Sequence, residues 1–126
     1  MITYNHMVVD QDRDVDRLFH ALADATRRDI VRYALGGEHS VSALARRYPV
    51  SFASVQKHVA VLEEAGLVTK RRHGREQLVT TDVHTIRRAA RLLEDLEQVW
   101  RDRISRIEDI LAGDDTAQTE REGDPR

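Results

Sequence analysis

The chain has no cysteine among its 126 residues, which closes off disulfides, thiolate metal centres and cysteine redox chemistry. A reducing cytoplasm is the expected location. Aromatic residues are scarce, at 5%, and there are two prolines, too little material for a β-sandwich or barrel. No apolar run approaches the roughly 20 residues that a membrane helix needs, so no membrane association is expected. The opening stretch MITYNHMVVDQDRDVDR lacks a basic region followed by an apolar one, and no secretory signal is read from it. Also missing are G-x-S-x-G, a phosphate-binding glycine loop, HExxH spacing and any defensible carboxylate pair. No enzymatic activity, catalytic residue or cofactor is therefore expected.

What is present is 40% hydrophobic and 33% charged, the balance of one soluble, helix-rich domain. The net charge of −2 hides a division along the chain. Residues 1–25 hold two basic and five acidic side chains, residues 26–81 ten and five, and residues 82–126 eight and twelve. A basic middle between acidic ends suits a segment that meets a polyanion.

Apolar spacing predicts a first helix over residues 14–23, with Val15, Leu18, Phe19 and Leu22 on one face. A second helix is expected to open at Thr26, with Asp29 completing a capping-box pattern, and to end at Gly36-Gly37. EHSV is long enough only for a bridging strand, and a short third helix over 42–47 stops at Tyr48-Pro49. A fourth helix follows over 51–65 and ends at Gly66, with Phe52, Val55, Val59 and Leu62 as its buried face. Strand candidates at 67–69 and 77–81 flank His73-Gly74, predicting a basic β-hairpin. A long helix is expected over 83–111. The fold class is thus mainly α with a small β-hairpin: a winged helix-turn-helix with a long C-terminal dimerisation helix, in which a hairpin follows the second helix of the turn. The domain is placed at 14–111, between a flexible N-terminal segment (1–13) and a disordered acidic tail (112–126).

LFHALADATRRDIVRYAL, VSALARRYPVSFASVQKHVAVLEEAGLV and RRHGRE resemble the ArsR-type winged-helix transcriptional repressors of bacteria and archaea. The likeness covers residues 14–111 and is densest over 24–74; Gln56 stands where the family usually has serine. It implies a homodimer that binds operator DNA, often its own promoter, and leaves when an inducer arrives.

The fourth helix carries the chemical expectation. With Val55 at the centre of the buried face, Ala53, Gln56 and Lys57 point away from the core and Ser54 lies on the flank. Small and hydrogen-bonding side chains suit entry into a DNA major groove about 12 Å wide. Gln56 can pair with adenine, Lys57 can reach guanine or a phosphate, and Ser51 at the helix start suits a phosphate. The alternative is that Ser51 and Ser54 only cap the helix and Gln56 is merely solvated. His58 is expected to pack against its own domain. Arg71, Arg72, His73 and Arg75 of the wing are candidates for minor-groove or backbone contact, and Arg46 and Arg47 before the turn for backbone phosphates. Arg27, Arg28 and Arg32 are expected farther away, paired with acids.

Ile86, Leu93, Trp100 and Ile107 recur every seven residues on the long helix, with Leu96 at a companion position. Such a seam suggests a helix–helix dimer contact, shared with Leu18 and Phe19 of the first helix. A homodimer on double-stranded DNA calls for a pseudo-palindromic operator. In the resemblance, Ser40 and Ser42 occupy the places of the family's metal-binding cysteines, and hydroxyls are poor ligands for soft metals. Asp82-Val83-His84 matches half of a second family site, whose remainder falls on Asp95 and Gln98. No metal site is expected. A metal-responsive repressor using oxygen and nitrogen ligands on the last helix, and a winged helix that binds protein, remain the alternatives, and an inducing small molecule is left unidentified.

Overall fold

The computed structural model describes the backbone of residues 13–122 and the side chains of residues 13–113. The expected flexible segment therefore lies, but for residue 13, outside the described residues. The chain divides into two compact units, the first ending at Ala89 and the second beginning at Ala90.

In the first unit, α1 is helical over residues 13–22, and α2 (Ala25–Leu35), β1 (His39–Ser40), α3 (Val41–Ala45) and α4 (Phe52–Glu64) follow. The hairpin strands β2 (Val68–His73) and β3 (Glu76–Thr81) then lead into α5 (Val83–Glu122). The sheet is antiparallel in the order β1-β3-β2, with His39 opposite Val79 and Val68 opposite Thr81. The two-residue strand β1 is thus the bridge expected of EHSV.

One core serves all these elements. Ile30 of α2, Leu44 of α3, Val55, Val59 and Leu62 of α4, Leu67 and Val68 at the start of the hairpin, and Val79 of β3 are fully buried. Each such side chain contributes about 1.5–3 kcal/mol over an exposed one. Leu18, expected at a dimer contact, is 3% exposed and belongs to this core, because the α1 face that carries it closes over the chain's own helices.

Several boundaries differ from expectation for local reasons. Asp24, and not Thr26, caps α2: its backbone is extended, and its carboxylate accepts the Arg27 N–H at 3.0 Å. Asp29, freed from capping, accepts the Tyr48 hydroxyl at 2.6 Å. At the other end of α2, Gly36 is right-handed. Ser40 caps α3 through the Ala43 N–H, so that helix starts and ends earlier than expected. The hairpin strands are longer than the sequence suggested, and its two-residue tip is Gly74-Arg75 in place of His73-Gly74. Gly74 has φ +63° while Arg75 beside it, like every non-glycine among the described residues, does not have positive φ, the pattern of a type II′ connection.

The second unit is the continuation of α5, helical in its backbone to Glu122 and through Gly113. The acidic tail expected to be disordered from residue 112 is helical as far as Glu122. Its charges and lack of apolar period do not prevent continuation of the preceding turns, since helix propagation is far easier than nucleation.

Candidate nucleic-acid interface

The fourth helix owes its geometry to its two ends. Ser51 has the extended backbone of an N-cap, and its Oγ accepts the Ser54 N–H at 3.1 Å. That bond uses an oxygen lone pair and leaves the hydroxyl hydrogen to donate elsewhere. At the far end Gly66 takes φ +76°, and its carbonyl accepts the Thr85 hydroxyl at 2.7 Å. Thr85, 6% exposed, is the buried polar residue among the described core and ties the exit of α4 to the start of α5.

Between these ends Val55, Val59 and Leu62 are buried as expected. Phe52 is not: it is 46% exposed. As the first residue of α4 it lines an open groove beside Val41, Gln56 and Val59 instead of entering the core. Ala53, Gln56 and Lys57 are exposed and Ser54 is half-buried. His58 lies on the supporting side, its Nδ1 3.4 Å from the Arg27 guanidinium and 3.9 Å from the Asp24 carboxylate.

The turn before α4 is held by a cluster that sequence reasoning missed. The Tyr48 hydroxyl donates to Asp29, and the Arg47 guanidinium lies 3.4 Å from the same carboxylate and 3.7 Å from the centre of the Tyr33 ring. Tyr33 in turn stacks on His39, with centroids 4.0 Å apart. The Tyr48 bond, aided by Arg47, holds the Asp29 carboxyl below its ordinary range, while burial chiefly pushes the Tyr48 phenol up. Arg47 is thereby committed to the turn. Its neighbour Arg46 caps the end of α3 and is exposed, without an ion pair among the described residues. Nothing in the spacing of RRY marks which arginine would be taken.

The α2 arginines also differ from expectation. Arg27 donates to the carbonyls of Ala21 (2.7 Å) and His20 (3.0 Å), and Arg28 to that of Leu22 (2.8 Å). They complete the open carbonyl end of α1 instead of pairing with acids. Of the three, Arg32 is the one with an ion pair among the described residues, at 3.8 Å from Asp29.

On the wing, Arg71, Arg72, His73 and Arg75 are all exposed, but they are not equivalent. Arg71 forms a two-pronged pair with Glu38, Nε at 3.1 Å and a terminal nitrogen at 2.9 Å. These bonds hold the Glu38 carboxyl below its usual range and raise the guanidinium further. Arg72 Nε donates to the Gly74 carbonyl at 3.3 Å, and Arg75 occupies the second tip position. Lys70 meets Glu63 at 3.3 Å, tying the wing to the last turn of α4. A groove of about 230 Å³ runs between α3, α4 and the hairpin, with Phe52 and Gln56 on one wall and Lys70, Arg75, Glu76 and Gln77 on the other. The folded chain so gathers an acid-free helix front and a basic hairpin tip in one unit.

Asp82, the first of the D-x-H pair, accepts the His84 N–H at 2.9 Å and so caps α5, and His84 is exposed. Among the described residues, no group of three His, Cys, Asp or Glu side chains is placed to hold a metal ion. No helix among them is long and apolar enough to cross a membrane.

The expected seam divides. Ile86 and Phe19 are half-buried against the core of the first unit. In the second unit Leu93, Leu96, Trp100 and Ile107, together with Val99 and Ile110, are between 46% and 67% exposed. Val99 was not part of the seven-residue pattern; it widens the apolar stripe beside Leu96 and Trp100.

Comparison with known proteins agrees with this arrangement. Residues 22–71 match the family described as a helix-turn-helix domain. The chain is 37% identical over 106 residues to the HTH-type transcriptional regulator Rv2034 of Mycobacterium tuberculosis, spanning 82% of this chain and 96% of that one. Among solved structures, an ArsR-like transcriptional regulator from Rhodococcus sp. RHA1 superposes with a TM-score of 0.71 at 32% identity, covering 80% of this chain and 95% of the other. The homodimeric winged helix-turn-helix DNA-binding domain of Mb0332 from Mycobacterium bovis, a possible ArsR-family regulator, gives 0.60 at 27% identity, covering 75% and 83%.

Proposed function

This chain belongs to the ArsR-type family of winged helix-turn-helix transcriptional regulators, and from that membership we propose that it is a non-catalytic homodimeric repressor of a pseudo-palindromic operator, its own promoter included. An inducing small molecule would lower its affinity. The observation that carries the reading is the front of α4: Ser51, Ala53, Gln56 and Lys57 are exposed together, with no acidic side chain among them. That face meets the chemical needs of a helix in the major groove, where small residues permit approach and a glutamine can pair with adenine. Lys57, the Ser51 hydroxyl and Arg46 would meet phosphates, and Arg72, His73 and Arg75 would follow the backbone or minor groove beside it. Arg71 stands apart, since two of its five donors are already committed to Glu38.

The dimer is supported by the homodimeric state named for the Mycobacterium bovis relative and by the exposed stripe on α5. Two copies would set their recognition helices about 34 Å apart, one turn of DNA. The test is a gel-shift titration on the DNA upstream of its own gene and on sequences selected from random DNA, across a salt series. Specific, salt-sensitive binding is expected. Gln56→Ala should relax preference at one base pair per half-site, at a cost of about 1–3 kcal/mol. Equal weakening on every operator variant would remove Gln56 as a base reader.

A further inference from the structure

Phe52 is the feature that the reading above leaves unused. It is one of two phenylalanines in the chain, it is 46% exposed, and it immediately follows the Ser51 cap. Val50, on the other side of that cap, is 44% exposed. Large apolar groups therefore flank the polar tip of the very helix end assigned to DNA. An exposed aromatic next to a phosphate-seeking serine gains nothing from water, and the bases offer one apolar feature in the major groove, the thymine C5-methyl.

Its position relative to Gln56 narrows the partner. The two are four residues apart and so stack on one helix face, and both line the groove between α4 and the hairpin. Four residues advance the axis by about 6 Å, close to two base-pair steps. Apolar contact and adenine-specific pairing would then fall within two base pairs of each other.

Resting on the assignment of α4 as the groove-reading helix, we propose that Phe52 is a specificity-determining residue that reads a thymine methyl within two base pairs of the adenine bound by Gln56. The ring also walls the groove beside Arg75, so the base contact and the wing contact are set by one surface.

The experiment uses the full chain and the sequence it enriches from random DNA. Each thymine of that site is replaced in turn by deoxyuracil, which removes only the methyl group. For the native chain, one thymine per half-site should show a loss of about 4-fold, the worth of one methyl group removed from water. Phe52→Ala should bind more weakly yet lose that sensitivity, and Phe52→Leu should retain it. Tolerance of deoxyuracil at every position in an otherwise specific complex would overturn the assignment of Phe52 while leaving the DNA reading intact. The same uracil sensitivity in Phe52→Ala would do so too. If no sequence is enriched at all, both fail together.

Discussion

Replacement of Glu38 by glutamine tests how the wing divides its charges. Arg71 spends two donors on that carboxylate, at 3.1 and 2.9 Å, and a guanidinium so engaged cannot clamp a phosphate with the same fork. Glutamine keeps the shape and removes the charge, which releases Arg71 on a surface that already carries Arg72 and Arg75. One added phosphate contact should steepen the plot of log affinity against log salt by about 0.9 per subunit, or ~1.8 for a dimer. Between about 50 and 200 mM salt this deepens the loss of affinity roughly 3- to 4-fold per subunit. Glu38→Gln should therefore bind tighter than the native chain at low salt and converge with it at high salt, as read by fluorescence anisotropy on a labelled operator. Glu94→Gln makes the same change of charge on α5, where the carboxylate has no ion pair among the described residues, and should leave the slope unchanged. Parallel salt plots for Glu38→Gln and the native chain would refute the idea that Glu38 withholds Arg71 from DNA. A uniform loss of affinity would show instead that Glu38 holds the arginine in its DNA-binding pose.

Three further outcomes follow from other contacts. Thr85→Val keeps the side chain's shape but leaves the half-buried Gly66 carbonyl without its 2.7 Å donor; unfolding in urea at matched concentration should show a loss of about 1 kcal/mol, which Thr85→Ser should largely recover. Asp24→Ala removes the α2 cap and should cost about 1 kcal/mol at neutral pH. The Arg27 backbone N–H lowers the folded Asp24 pKa below its ordinary 3.8, so this stabilisation is present above that value and lost as pH falls through the folded one. The two proteins should accordingly converge in stability in acid, and a constant gap down to the lowest pH would contradict the cap. Trp100 is the sole tryptophan and is 58% exposed in the single chain. If α5 meets a second copy, its emission should be blue-shifted at high concentration and move to the red on dilution, and Trp100→Glu should yield monomers that no longer hold the operator; an emission maximum unmoved while sedimentation reports a dimer would place the contact elsewhere.

Local rules carried much of this molecule into view before any fold was known. Periodicity marked Val55, Val59 and Leu62 as core, because a helix that buries one face must repeat its apolar residues in step with its turn. Glycines at 66 and 74 announced positions of positive φ, and both have it. The acid-free front of α4 was visible as a string of residue types, since exposure and charge on one helix are set by short spacing. Choices among chemically equal neighbours were not legible in this way. RRY does not say that Arg47 goes to Asp29 and Tyr33 while Arg46 stays exposed, and the wing motif does not say that Arg71 is engaged by Glu38, because those partners lie 18 and 33 residues away in the chain. Phe52 obeyed the period of the buried face and yet is exposed, since burial depends on whether another element reaches that far along the helix. Residue type and spacing settled which elements form and which face turns inward; the packing of distant segments assigned each arginine its partner and left one phenylalanine facing outward.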